Sequence, residues 1–217
     1  QGQPQVPRRD SVSTADVDRA VNLVRQHDPR HLPPGQPRAL SLSERDVDLL
    51  VQHARVEVVR NDAITVEEAL RFERIVLSPG PGLPSEAGIM MAILEHAPPA
   101  HLILGVCLGM QAIVEVYGGS LYNQPVVRHG VAVECFVEDP TEPIFQGLPT
   151  RFEVGLYHSW AADPLRLPSE LKVTARSEEG VVMAVRHVER PVRGVQFHPE
   201  SVLTPNGHAI IANWVRT

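Results

Sequence analysis

Hydrophobic and polar positions divide this chain near residue 54. Beyond that point short apolar blocks alternate with amphipathic stretches. Val56-Glu57-Val58-Val59 reads as a strand, and Thr65-x-x-Glu68 forms a capping box that opens a helix ending near Phe72. Ile75-Val76-Leu77 is a second apolar strand, running into the stiff loop Ser78-Pro79-Gly80-Pro81-Gly82. Ile89 to His96 carries a helical pattern, His101 to Val106 is another strand, and a helix-like run follows it. Such alternation, with short aliphatic strands, predicts an α/β fold whose largely parallel central sheet is covered by helices on both faces. After Tyr122 the pattern turns to β. The segments VVRHGVAVECFVE, RFEVGLYHSW, LKVTARSEE, VVMAVRHV and PVRGVQF predict antiparallel and hairpin strands added to or beside the parallel centre. Ala209 to Val215 predicts a closing helix.

The first 45 residues pattern differently. They are rich in Pro, Arg and His, as in HDPRHLPPGQPRAL, and hold no five-residue aliphatic run comparable to LILGV. Two pieces, Ala15–Gln26 and Ser43–His53, predict short amphipathic helices; in the second, Val47, Leu50 and Val51 share one face. The expected organisation is an atypical segment over residues 1–45 and one domain over 46–217. Prolines remove N–H donors and interrupt strand pairing. The atypical segment is therefore expected to add little to the core, lying on its surface as helices and coil or staying mobile.

Composition narrows the function classes. The length of 217 residues suits one domain with a substantial core, and no apolar run approaches a membrane span. The opening QGQPQVPRRD has no apolar segment after its basic residues and does not read as a secretory signal. A formal net charge of −6 provides no electrostatic footprint for nucleic acid or an anionic membrane. Two cysteines, Cys107 and Cys135, make no disulfide framework, and no cluster has metal-site spacing. The expectation is a cytoplasmic enzyme with one working thiol and no metal. Cys135 lies in an alternating strand pattern and reads as a buried structural residue.

Gly105-Val106-Cys107-Leu108-Gly109 is the cysteine form of the G-x-S-x-G nucleophile elbow. That sharp strand-to-helix turn crowds its flanks, and glycine at both ends relieves the crowding. It sets the thiol at a helix N-terminus, where free N–H groups and the macrodipole favour a thiolate. A base is then required. Among ten histidines, His198 stands at the end of a predicted strand, a usual place for catalytic groups in α/β folds. Pro199 holds it extended, and Glu200 can reach back to the imidazole. Cys107, His198 and Glu200 thus read as nucleophile, base and orienting acid.

The strings GVCLGMQ, GVQFHPES and SPGPG together resemble the class I (triad-type) glutamine amidotransferases. EVVRND, IVLSPGPGLPSEAG, LYHSW and FHPESVLTPNGHAIIANW resemble the branch serving chorismate enzymes, either anthranilate synthase or aminodeoxychorismate synthase. The resemblance runs from about Val47 to the C-terminus. It implies hydrolysis of glutamine to glutamate and ammonia, with the ammonia passed to a protein partner, the chorismate-binding synthase component. It also implies no cofactor in this chain, magnesium being the partner's requirement. By similarity the oxyanion donors are the N–H of Leu108 and an N–H of the Gly80-Pro81-Gly82 loop, and Gln111, Ser159 and Trp160 contact glutamine.

Several positions depart from that pattern. The family opens with a central hydrophobic strand and a helix, and nothing before Ser43 matches them. Residues 47–53, VDLLVQH, resemble only the end of that helix. Leu156 stands where the family has arginine, Trp160 where it has leucine, and Val131 where His-Gly-Lys is usual. Two further readings follow: a catalytically impaired interaction subunit lacking its first strand, and a γ-glutamyl peptidase, which SPGPG and FHPES disfavour.

Overall fold

In the computed structural model, residues 20–25 and 55–217 are described. They form one nine-stranded mixed sheet. Its strands are β1 (Ala20–Arg25), β2 (Arg55–Arg60), β3 (Arg74–Leu77), β4 (Leu102–Val106), β5 (Leu121–Val137), β6 (Arg151–Ala162), β7 (Leu171–Ser177), β8 (Val182–His187) and β9 (Val192–Val195). The order across the sheet is β2-β1-β3-β4-β9-β8-β7-β5-β6. The helices are α1 (Val66–Ala69), α2 (Met90–His96), α3 (Leu108–Val116) and α4 (Gly207–Arg216).

The parallel centre comprises β3, β4 and β9, with β4 between the other two. These strands are short and mostly buried on both faces because period-two alternation divides their apolar side chains between two cores. Ile75, Leu77 and Ile103 pack with α2 and α3 in one cluster. Val76, Leu104 and Val106 face the other way, into a cluster with Phe152, Phe197 and Trp214 of α4. The strand over PVRGVQF therefore belongs to the parallel centre on its β4 side, and pairs antiparallel with β8 on the other. The remaining C-terminal strands form the expected antiparallel extension.

Local chemistry accounts for the element starts. Thr65 accepts from the Glu68 N–H at 3.2 Å, while Glu68 Oε2 accepts from the Thr65 N–H at 3.0 Å, completing the capping box. The helix that it opens is short, ending at Ala69 rather than near Phe72.

Two expectations about the N-terminal part are corrected. Ala20–Arg25, placed by its sequence in a helix over Ala15–Gln26, is a strand. It lies inside the sheet, antiparallel to β2 on one side and to β3 on the other. The segment 1–45 therefore does contribute to the core: β1 satisfies the facing edges of both neighbours, which would otherwise be unpaired. Six residues of AVNLVR fit either period, and the unpaired edge of β3 selects the extended form. The rest of that helix and the one over Ser43–His53 lie outside the described residues.

Candidate active site

Sheet register assembles the site. Leu77 is paired with Gly105, and Val106 with Val195. The three parallel strands therefore end together, bringing the Ser78–Gly82 loop, the Cys107 turn and the Gln196–Glu200 segment to one edge. This is the carboxyl edge, where α/β sheets place their chemistry.

Cys107 caps the N-terminus of α3 with φ of 52° and ψ of −101°, making it the one non-glycine residue with positive φ among the described residues. Such a conformation costs on the order of 1–3 kcal/mol and has to be held by its surroundings. Its N–H donates to Val195 O at 2.8 Å, and its carbonyl accepts from the Gln111 N–H at 3.1 Å. The flanking glycines are required by close approach. A Cβ on Gly105 would lie 2.4 Å from the Gly109 carbonyl, and one on Gly109 would lie 2.3 Å from Leu77 O. The elbow expected from the sequence is present, and its thiol is buried.

His198 Nδ1 lies 2.5 Å from Glu200 Oε1, both side chains being largely buried. Burial alone pushes the imidazole's proton affinity down. Hydrogen bonding and charge from Cys107 and Glu200 outweigh it and raise the pKa to about 10. His198 Nε2 is buried and has no completed hydrogen bond at rest, although Cys107 is near enough to act on it. A histidine so placed holds a proton through the neutral range, ready for a leaving group. The Tyr157 ring meets the His198 ring edge-on at 4.8 Å, and Tyr157 Oη is 3.0 Å from Ser201 Oγ. His158, the next residue, is buried, and that burial lowers its pKa to about 4, so it stays neutral beside the charged His198.

Gln111 is buried rather than solvent-facing. Its Nε2 donates to Trp160 O at 2.9 Å and approaches Gln196 Oε1 at 3.4 Å. Trp160 meets Gln111 through its backbone carbonyl, and Ser159 precedes it on β6. Leu108 N–H stands at the first helical position, where no intrahelical acceptor exists. In the Gly80-Pro81-Gly82 loop, Gly82 has φ of +80°, and a Cβ there would lie 2.5 Å from Glu86 Oε2. Leu156, in place of an arginine, is buried in the second core. Cys135 is fully buried there too, and burial pushes its thiol up to about 12.

Two residues at the site were missed by sequence reasoning. One is Tyr157. The other is Gln196, whose Nε2 lies 3.6 Å from Cys107 Sγ. A signal for Gln196 was available, since period two puts it on the same side as His198 in Val195-Gln196-Phe197-His198.

Comparison with known proteins agrees with this geometry. Residues 46–217 match the family model "Glutamine amidotransferase class-I". The chain is 43% identical over 167 residues to anthranilate synthase component 2 of Azospirillum brasilense, covering 76% of this chain and 84% of that protein. It is also 43% identical over 164 residues to aminodeoxychorismate synthase component 2 of Klebsiella aerogenes, covering 75% of this chain and 87% of that one. Among solved structures, a putative GMP synthase component from Thermoplasma acidophilum superposes with a TM-score of 0.72 at 26% identity, over 83% of this chain and 89% of its own. With a family model spanning most of its length and a strained thiol beside a histidine–glutamate pair, the chain belongs to the class-I glutamine amidotransferases.

Proposed function

We propose that this chain is the glutaminase component of a two-component, chorismate-using synthase, and that its ammonia is built into anthranilate. The observation that carries the chemistry is the delivery of the His198–Glu200 pair to a strained cysteine at a helix N-terminus. Cys107 Sγ attacks the side-chain amide carbon of glutamine, while its proton resides on His198. The carbon–nitrogen bond breaks as His198 Nε2 gives that proton to the departing ammonia. Water then attacks the thioester, His198 takes up its proton, and glutamate leaves as Sγ regains the bonding pair. Glu200 holds the ring and stabilises its charged form.

The negative oxygen formed in each addition needs preorganised donors, each worth about 3–4 kcal/mol of barrier. Leu108 N–H and an N–H of the Gly80–Gly82 loop stand at the right edge of the sheet for this. Gln111 commits its amide nitrogen to Trp160 and Gln196, which leaves Oε1 to accept from the ammonium group of the substrate. Backbone groups at Ser159 and Trp160 complete the contact. None of these steps asks for a cofactor in this chain; magnesium belongs with the partner's chorismate chemistry.

The partner assignment is supported by relatives named component 2. Equal identity to an aminodeoxychorismate relative favours, as second reading, the same role in folate synthesis. No described helix is long and apolar enough to cross a membrane, and we place the complex in the cytoplasm. The test is to purify the chain with each candidate synthase partner and assay glutamine-dependent product. Cys107→Ser should abolish that activity while ammonia-dependent synthesis by the partner persists. Substantial glutamine turnover by the mutant, or no coupling to either synthase, would overturn the proposal.

A further inference from the structure

The nucleophile has a neighbour that the triad does not use. Gln196 is fully buried immediately beyond β9, with its N–H bonded to Met183 O at 2.8 Å. Its side chain lies between Gln111 and the Cys107 sulfur, at 3.4 Å from Gln111 Nε2 and 3.6 Å from Sγ. The polarity of this chain of contacts follows from its far end. A backbone carbonyl can only accept, so the Gln111 atom facing Trp160 O is its amide nitrogen. A nitrogen facing Gln196 then requires the oxygen of Gln196 on that side, and the remaining amide N–H of Gln196 points at sulfur.

We propose that Gln196 is a positioning residue for the nucleophile, holding the Cys107 sulfur through an amide N–H and tying that hold to Gln111. The coupling to substrate rests on the glutaminase reading, in which Gln111 meets glutamine; the hold on sulfur does not. Titratable groups near the sulfur among the described residues include His198 and Glu200 on the segment after β9, with His158 beyond them on β6. Gln196 differs from these in being a donor with no charge. Its contribution is therefore the same across the working pH range, whereas that of the histidine depends on its proton.

A donor to an anionic sulfur draws charge from it and so tempers its reactivity. Thiolate nucleophilicity follows basicity with a coefficient of about 0.4–0.5, so a sulfur made about tenfold more basic by loss of the donor reacts about threefold faster. With its proton already on His198, the sulfur of a variant lacking the donor should alkylate about threefold faster at neutral pH. A merely structural role does not speed alkylation while lowering kcat with KM little changed.

The experiment measures the rate of iodoacetamide alkylation of the full chain at neutral pH, with the adduct assigned by mass spectrometry and Cys107→Ser as blank. Cys135, fully buried and with its thiol pushed up to about 12, stays silent. Gln196→Met keeps the bulk without the donor and should alkylate about threefold faster than the wild type. In the glutaminase assay Gln196→Met should lower kcat more than it raises KM. If that variant does not fold, Gln111→Met reads the same contacts from the other end and should shift alkylation in the same direction by a smaller amount. A folded Gln196→Met with the wild-type alkylation rate overturns the proposal, as does an unchanged rate in Gln111→Met where Gln196→Met cannot be made. Because alkylation needs no glutamine, a failed glutaminase reading would show separately, as absent turnover in the wild type.

Discussion

Gly109→Ala sets two effects of known size against each other. Gly109 is the second residue of α3, and helix propensity alone favours alanine there by about 1 kcal/mol. Against that, the new methyl would lie 2.3 Å from Leu77 O and 2.8 Å from Leu77 Cβ. A tolerable carbon–oxygen contact is about 3.3 Å, so α3 has to retreat from β3 by about 1 Å. The obstacle is the backbone of a central strand, which cannot swing aside as a side chain would. Overpacking typically costs about 1–3 kcal/mol, and the upper end applies here. The net loss is then about 2 kcal/mol, or about 4–8 °C in Tm for a chain of this size. Cys107 rides on the head of the same helix, and a misplacement of about 1 Å at a reacting group can cost about 100-fold in rate. Thermal unfolding followed by circular dichroism gives the first number, and glutamine turnover in the assembled complex gives the second. Gly118→Ala is the control. Its φ is +90° with nothing within 4 Å of the added carbon, so it should cost about 1 kcal/mol from backbone strain and leave turnover unchanged. A Gly109→Ala protein as stable as the wild type, or destabilised with full turnover, would refute the close-approach argument.

His198→Ala should lower turnover by about 10²–10⁴-fold, and Glu200→Ala by less, since only the histidine transfers protons. Equal or reversed losses in folded variants would contradict those roles. Asp139 is held well below the usual carboxylate range by hydrogen bonds from Lys172 and Thr141, which outweigh its burial. A depressed carboxylate adds stability that is present above its ordinary value near 3.8 and lost as pH falls through the native value. Asp139→Asn should therefore lower Tm by several degrees at pH 7, and the gap to wild type should close on acidification; a gap that persists or widens in acid would sink the idea.

Most of the candidate site was legible because its chemistry is written in contiguous residues. A glycine two positions either side of Cys107 signals a crowded turn whatever the rest of the chain does, and the clashes at Gly105 and Gly109 bear that out. His198-Pro199-Glu200 carries its own geometry, since proline restricts the backbone and two residues span the distance to the imidazole. The capping box at Thr65 was equally local. Gln196 was harder to see. Its meaning depends on a thiol 89 positions earlier in the chain, and glutamine on a strand has no signature of its own.

The sequence by itself determined that short aliphatic strands alternate with helices, that an antiparallel extension follows, and that a cysteine elbow and a histidine–glutamate pair are present. These follow from periodicity and from neighbours within a few residues, where sterics and local hydrogen bonds decide the outcome. Tertiary structure alone decided that Ala20–Arg25 is an inner strand rather than a helix. It also decided that the strand over PVRGVQF pairs parallel to β4, setting His198 beside Cys107. Pairing energy in a sheet comes from partners distant along the chain. Six residues that fit either period take the conformation that satisfies an open edge, and no local pattern records where that edge lies.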